Sequence, residues 1–459
     1  MVKVEKMGLL ITNGKLITWG TPNQILDGYA LLIEGGRIQE VATQEDLLER
    51  FPEAEFLDAQ GQYIMPGLIC AHTHFYSAFS RGMPIPGEPA KDFPEILNKL
   101  WWPLDLSLDE KAVRYSVSVS LIDAIRHGTT TLIDHHASPN HIEGSLDIIA
   151  EAVIEAGVRA ALCYEVTDRN GLAGAKAGIE ENLRFIKKLS AHSQYNSQLA
   201  AMFGLHASLT LSDKTLESCR QASPTEVGFH IHVAEHEVDE ADSMNKSGMR
   251  VIERLNHHHL LGKNSLLVHG VHIDDHEIQL IADTNTWLTH QPRSNMNNAV
   301  GLPEIDKMLD AGIQVCLGND GFSNTMWEEW KATYLAHKLW KRDPRRMTAD
   351  EVVRMGVYNN ASLTSMLFRT QMGVIAEGAQ ADLIFVDYHP YTPLTVDNLP
   401  WQIIFGFHES MVTTTIVAGK VLMRDRKLLT LDEEAITTKA MEIAPQVWSR
   451  YFKQRGMKP

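Results

Sequence analysis

Short apolar runs with period-two alternation open the chain. LLITNGKLITW (9–19) is interrupted at Asn13-Gly14, and ALLIEGGRIQEVA (30–42) at Gly35-Gly36. Both dipeptides suit two-residue hairpin turns, so each segment predicts a pair of antiparallel strands. From about residue 110 the period lengthens. KAVRYSVSVSLIDAIRHG and SLDIIAEAVIEAGVR carry helical spacing, and each leads into a short apolar run, TTTLIDHH and AALCYEVTD. The same alternation continues through LAAMFGLHASLT, EVGFHIHVAEH, NSLLVHGVH, TWLTHQPRSN and IQVCLGNDG. Strand–helix alternation predicts a parallel sheet, and about eight strand candidates between residues 65 and 320 fit a closed barrel better than an open sheet. From about 375 the strand-rich style returns in GVIAEGAQADLIFVDYH and TTTIVAGKVLMRDRKLL.

The expected class is therefore α/β. A (β/α)8 TIM-like barrel over 66–374 would carry a small β-sandwich domain built from 1–65 plus 375–431, with a helical C-terminal tail at 432–459.

Composition narrows the classes. Over 459 residues, hydrophobic side chains are 44% and charged ones 22%, which is ordinary for a globular protein and excludes disordered, collagenous and coiled-coil chains. The net charge of −16 disfavours nucleic acid as a partner. No apolar run approaches about 20 residues, so no membrane span is expected. The first residues lack a signal-like apolar stretch, and a cytoplasmic location with reduced thiols is expected. The 4 cysteines are scattered and make neither a disulfide framework nor a CxxC zinc pattern. The 21 histidines invite a search for a metal site.

Four candidates emerge at the ends of successive strand candidates. His72 and His74 lie two apart, on one face of a strand. His232 and Glu235 lie three apart, so Glu235 must sit beyond the strand end, where the chain bends. A ligand with a nearby carboxylate suits a metal-bound water and its proton shuttle. His230 reads better as packing than as a ligand. His269 ends an apolar run, and Asp320 follows one in VCLGNDG. Each alone has an ordinary structural explanation, such as a satisfied histidine or a turn aspartate. Together, three His nitrogens and one Asp oxygen suit one divalent ion, zinc foremost with iron also accepted, and leave a position for water.

With these motifs in hand, the sequence resembles the amidohydrolase superfamily over nearly its whole length. PGLICAHTHF, HVAE, LVHG and LGNDG match the superfamily's metal and catalytic motifs. NNASLTSMLF and GVIAEGAQADLIFVD resemble its return into the β-sandwich. Within it, the chain is similar to cytosine, guanine and S-adenosylhomocysteine deaminases and to triazine hydrolases. SRGM (80–83), LWWPLD (100–105), DHHASP (134–139) and RSNMNN (293–298) look closest to the SsnA-type aminohydrolases.

The resemblance implies a metal held by His72, His74, His232 and Asp320. It also implies proton transfer by Glu235 and Asp320, and a hydrogen bond from His269 to the water or substrate. LAAMFGLHASLT offers no lysine at its end, which disfavours a two-metal amidase and points to cyclic amidine deamination with release of ammonia.

His206, Arg293, Asn295, Asn297, Trp101 and Trp102 are candidates for contact with a small heterocycle of purine, pterin or triazine type. Arg81 and the His135-His136 pair are further ones. His206 could equally be structural, the tryptophans core or a subunit surface, and Arg293, Asn295 and Asn297 a helix cap. His257–His259 reads as a solvated helix end. A triazine-type chlorohydrolase or N-alkylaminohydrolase is the alternative enzyme, and an inactive assembly protein the alternative of another class. A homodimer or higher homo-oligomer is expected on frequency alone.

Overall fold

A computed structural model describes residues 8–192 and 197–456. The expected domain ends at 1–7 and 457–459 lie outside the described residues. The middle of the chain forms two parallel sheets. One has the strand order Leu199–Ala201, Arg159–Tyr164, Thr129–His136, Leu68–Thr73. The other runs Phe203–Ala207, Phe229–Val233, Leu266–His269, Trp287–His290, Val315–Leu317.

The sheets meet at two places. Met202 alone separates Leu199–Ala201 from Phe203–Ala207, and Val166 bridges Leu205 in parallel. At the far edges the backbone amides of Asn319 and Asp320 both donate to the His72 carbonyl, at 2.9 and 3.2 Å. Gly318 permits this approach, because a Cβ there would lie 2.6 Å from the His72 nitrogen.

These strands are apolar runs rather than alternating ones because both faces are covered. All eight residues of Thr129–His136 are buried. Helices intervene as the periodicity predicts. Glu110–Arg126 begins where the Asp109 carboxylate accepts the Ala112 amide, and Ser145–Ala156 ends at Gly157 with φ of 91°.

The chain ends build two further sheets. A four-stranded sheet has the order Arg37–Thr43, Tyr29–Glu34, Leu9–Thr12, Glu55–Asp58. A seven-stranded sheet pairs Leu383–Val386 antiparallel with Tyr63–Pro66, so both ends of the chain enter one sheet. The Gly35-Gly36 hairpin forms as expected, with φ of 58° and 81°.

The Asn13-Gly14 hairpin does not form. Leu9–Thr12 pairs with Tyr29–Glu34, whereas Lys15–Ile17 pairs with Ile25–Leu26 and Tyr63–Pro66 in the other sheet. Ile64 occupies the space beside Gly14 that a Cβ would fill, and the Asn13 amide donates to Gln44 Oε1. The turn therefore hands the chain from one sheet to the other. Ile11, Leu31 and Ile33 from the first sheet and Leu16, Ile64 and Phe385 from the second share one apolar cluster.

The C-terminal helix Glu433–Gln454 buries Ile443, Val447 and Tyr451. It reaches the parallel-sheet region through Trp448 Nε1, which donates to the Phe79 carbonyl at 2.8 Å, and Arg450, which donates to that of Ser107 at 2.7 Å. Among the described residues no helix is long and apolar enough to cross a membrane, and all four cysteines are free and buried.

Candidate active site

The C-terminal ends of the parallel strands converge their polar side chains on one point. His72, His74, His232 and Asp320 each bring one ligand-type atom into a group whose members all lie within 4.8 Å of one another. Asp320 Oδ1 is 3.0 Å from His72 Nε2 and 3.2 Å from His74 Nε2, and His74 Nε2 is 3.2 Å from His232 Nε2.

The opposite ring nitrogens fix which atoms face inward. His74 Nδ1 donates to the His135 carbonyl at 2.6 Å and His232 Nδ1 to that of His206 at 2.8 Å. His72 Nδ1 lies 2.9 Å from His230 Nε2, which places His230 behind the group, as expected. With Nδ1 of both rings donating to a carbonyl, the Nε2 atoms of His74 and His232 face each other, an arrangement that calls for a proton or a metal ion between them. Ligand atoms on a tetrahedral ion bonded at about 2.0–2.1 Å lie about 3.3 Å apart, so these spacings and this set of nitrogen and oxygen atoms fit a zinc-sized ion. Burial, then neighbouring imidazoles, hold His232 well below the usual histidine range, which keeps it neutral.

Ala234, His269 and Asp320 have φ of 46°, 75° and 54° at the ends of three strands. Non-glycine residues rarely adopt this conformation, and it gathers at functional sites. At Ala234 the turn carries Glu235 over the group, as the His-x-x-Glu spacing requires. Glu235 does not cap the following helix, whose N-cap is His236. Glu235 Oε1 instead accepts from Asn298 Nδ2 at 3.2 Å, and Oε2 lies 3.3 Å from His269 Nε2.

The two site carboxyls diverge. Burial, with the Asp320 charge, raises Glu235 well above the usual range. Burial alone would also raise Asp320, but its contacts with His72 and His74 outweigh it and hold it well below. Opposed shifts of this kind separate a carboxyl that starts as an acid from a carboxylate that starts as a base. His269 Nδ1 faces Asn295 Nδ2 at 3.1 Å, so its proton sits on Nε2, which has no hydrogen-bond partner and points at the two carboxyls.

A cavity of about 540 Å³ opens over this group. His74, His206, His232, Glu235, Asn297, Asp320, Trp101 and Trp102 line it, and Arg81 stands at its exposed rim. Two expected substrate contacts lie elsewhere. Arg293 is held by Glu328, Glu329 and Ser323, and it does not line the cavity. Asn295 is fully buried and serves His269. His136 is also buried, with Nε2 2.9 Å from Ser138 Oγ. His258 is not solvated as expected, because it is buried 3.3 Å from Asp213.

Sequence reasoning missed Ser294, Asn298, Asp105 and Glu165. Ser294 Oγ donates to Asp320 Oδ2 at 2.6 Å. Asp105 and Glu165 bring two further buried carboxyls to the cavity wall. Ser294 and Asn298 share a helix face at i and i+4, a signal that lies within RSNMNN once Pro292–Asn297 is read as a helix.

Comparison with known proteins bears on this arrangement. Residues 63–422 match the family model described as the amidohydrolase family, and 30–54 match that of a bacterial imidazolonepropionase-like composite domain. The chain is 30% identical over 456 residues to a 5-methylthioadenosine/S-adenosylhomocysteine deaminase of Acetivibrio thermocellus, covering 96% of this chain and 100% of that one. It shares its fold with an adenosine deaminase from Xanthomonas campestris solved with bound zinc, at a TM-score of 0.84 and 23% identity over 96% and 98% of the chains. It also shares it with the atrazine chlorohydrolase TrzN from Arthrobacter aurescens, complexed with zinc, at 0.79 and 22% over 95% and 100%.

Proposed function

The chain belongs to the amidohydrolase family, and from that premise we propose that it is a single-metal aminohydrolase that replaces the exocyclic amine of a cyclic amidine with oxygen. It is a hydrolase acting on carbon–nitrogen bonds, with purine-, pterin- or triazine-like heterocycles as the substrate class. The observation that carries this reading is the pairing of Glu235, a carboxyl raised by burial, with the convergent His72, His74, His232 and Asp320 group.

In this reading those four residues hold one divalent ion, zinc foremost. When bound, such an ion supplies a water acidified from a pKa of about 15.7 toward 7. The rest falls to the side chains. Glu235 gives a proton to the ring nitrogen beside the reacting carbon and so makes that carbon electrophilic. His269 Nε2–H donates to oxygen during addition. Asp320, anionic at rest, accepts the proton of the attacking water, and Glu235 or Asp320 delivers one to the departing ammonia. A leaving chloride would need no such delivery.

The two parallel sheets and their contacts at Val166–Leu205 and His72–Asn319 support one eight-stranded barrel over 66–374, with Leu199–Ala201 and Phe203–Ala207 counted as one strand interrupted at Met202. The sheet shared by both chain ends supports a composite β domain from 1–65 and 375–431. The helix at Glu433–Gln454 supports the 432–459 segment as a third part.

The test is ammonia release by zinc-loaded protein across amino-substituted purines, pyrimidines, pterins and triazines. Glu235→Gln should keep its zinc and lose about 10²–10⁴ in rate. Parental turnover by zinc-replete Glu235→Gln would overturn the assignment.

A further inference from the structure

We propose that Glu165 and His206 form a two-acceptor edge that reads ring N–H groups, so that the preferred substrate is a heterocycle whose nitrogens away from the reacting amidine carry hydrogen rather than a sugar or an alkyl group. This rests on the deaminase reading and narrows its substrate class.

The argument begins with tautomers. Thr210 Oγ1 donates its one proton to the Ala207 carbonyl at 3.2 Å. It must therefore accept from His206 Nδ1, 2.6 Å away. His206 then carries its proton on Nδ1 and presents an Nε2 lone pair to the cavity. Glu165 Oε1 stands 3.6 Å from that nitrogen. The carboxylate is 3% exposed and lines the cavity.

The groups around Glu165 do not satisfy it from within. Arg169 Nη2 is 3.6 Å from Oε1 and is committed to Asp105 Oδ2 at 2.7 Å. His135 Nδ1 is 3.3 Å from Oε2. However, His135 Nε2 lies 3.1 Å from the carbonyls of both Leu205 and His230, so the ring's proton is on that side. His135 Nδ1 is left buried without a hydrogen-bond partner. Glu165, whose charge Arg169 and His135 offset at 3.6 and 3.3 Å, and His206 Nε2 are thus adjacent acceptors that face the same space with capacity left for donors from a ligand. Buried acceptors in this state favour a ligand that brings donors and reject one that does not, because the mismatch leaves them desolvated and unpaired.

Position decides which part of the ligand meets them. One Glu165 oxygen belongs to a group with ligand-type atoms of His74 and His135 in which all lie within 4.8 Å of one another. His74 is also in the proposed metal group, so the ring itself, not a distant substituent, would lie against this edge. An N–H there has an acceptor in reach, whereas an N-alkyl or N-glycosyl carbon would be pressed onto a carboxylate.

The test uses matched probes on zinc-loaded Glu235→Gln protein, which binds without turning over. The probes are guanine and 9-methylguanine, adenine and 9-methyladenine, with 5'-deoxyadenosine as a sugar-bearing member, measured by equilibrium dialysis. In at least one ring class the N–H member should bind on the order of 10–100-fold tighter than its partner. Adding Glu165→Gln should remove that preference. Equal binding within every pair, equal failure to bind, or tightest binding of 5'-deoxyadenosine overturns the proposal. So does a preference that survives Glu165→Gln. If Glu165→Gln does not fold, the pairs on the otherwise intact cavity still decide. A retained preference without ammonia release from any probe by the parent protein would fail the deaminase reading alone.

Discussion

Arg159 stands at the entry of the Arg159–Tyr164 strand, and Glu165 directly follows its exit, so one strand connects two buried polar clusters of different kinds. At the entry, Arg159 Nε and Nη2 grip Asp382 at 2.6 and 3.0 Å, and Nη2 also donates to Gln380 Oε1 at 2.6 Å. Asp382 Oδ1 further accepts the Ala418 amide at 2.8 Å. Every donor in that description meets an acceptor. At the exit, His74 Nε2 faces His232 Nε2 at 3.2 Å, and His269 Nε2 and His135 Nδ1 have no hydrogen-bond partner. Buried polar groups are normally paired, and exceptions need a reason. The entry cluster fastens the parallel sheets to the sheet built from the chain ends. The exit cluster is complete only with something bound.

The largest effect should come from the exit. Removing metal with a chelator should abolish ammonia release, and added zinc should restore it, while far-UV circular dichroism stays that of folded protein. Persistence of turnover in demonstrably metal-free protein would break the contrast at its root, because the exit cluster would then work without the metal ion proposed for it.

The entry cluster should answer to stability alone. Arg159→Met leaves the Asp382 carboxylate buried without its cation, a change that costs about 3–5 kcal/mol. A lower urea midpoint, with turnover per folded molecule unchanged, is expected. Asp382→Leu added to Arg159→Met should recover much of the loss, since replacing both charges by apolar groups removes the unpaired one. A fall in turnover without a fall in stability would place Arg159 with the chemistry instead.

The two clusters were unequally legible in the sequence. The exit announced itself because His72, His74, His232, His269 and Asp320 each stand at or just past the end of an apolar run, where polar side chains of parallel strands converge. The entry left no local mark: Arg159 and Asp382 are far apart in the chain, and only the pairing of Leu383–Val386 with Tyr63–Pro66 explains their meeting. The misread hairpin at Asn13-Gly14 has the same cause. Its turn chemistry was correct, but the partner of each strand was chosen by distant apolar surfaces. RSNMNN failed differently. Arg293, Asn295 and Asn297 were chosen by residue type, for the donors and acceptors they offer after a strand, and residue type does not say which face each takes on the helix Pro292–Asn297. The helical period turns Arg293 toward Glu328 and Glu329 and brings Ser294 and Asn298 to the carboxyls.

Asn298 offers the smallest and most discriminating test. Its Nδ2 donates to Glu235 Oε1 at 3.2 Å and lies 3.3 Å from Ser294 Oγ, which in turn donates to Asp320 Oδ2. One amide therefore ties the carboxyl that starts protonated to the carboxylate that starts charged. Asn298→Ala removes one hydrogen bond to Glu235 and leaves every proposed metal ligand in place. A single such bond is worth about 0.5–1.5 kcal/mol, so kcat should fall up to about tenfold with zinc content unchanged and KM little altered. Asn298→Asp should do worse than alanine, because it sets a second acid against Glu235 and withdraws the donor at the same time. In a Glu235→Gln background Asn298→Ala should add almost nothing, since the proton it helps to place is already gone. Full additivity of the two losses would mean that Asn298 acts on the substrate itself and not through Glu235.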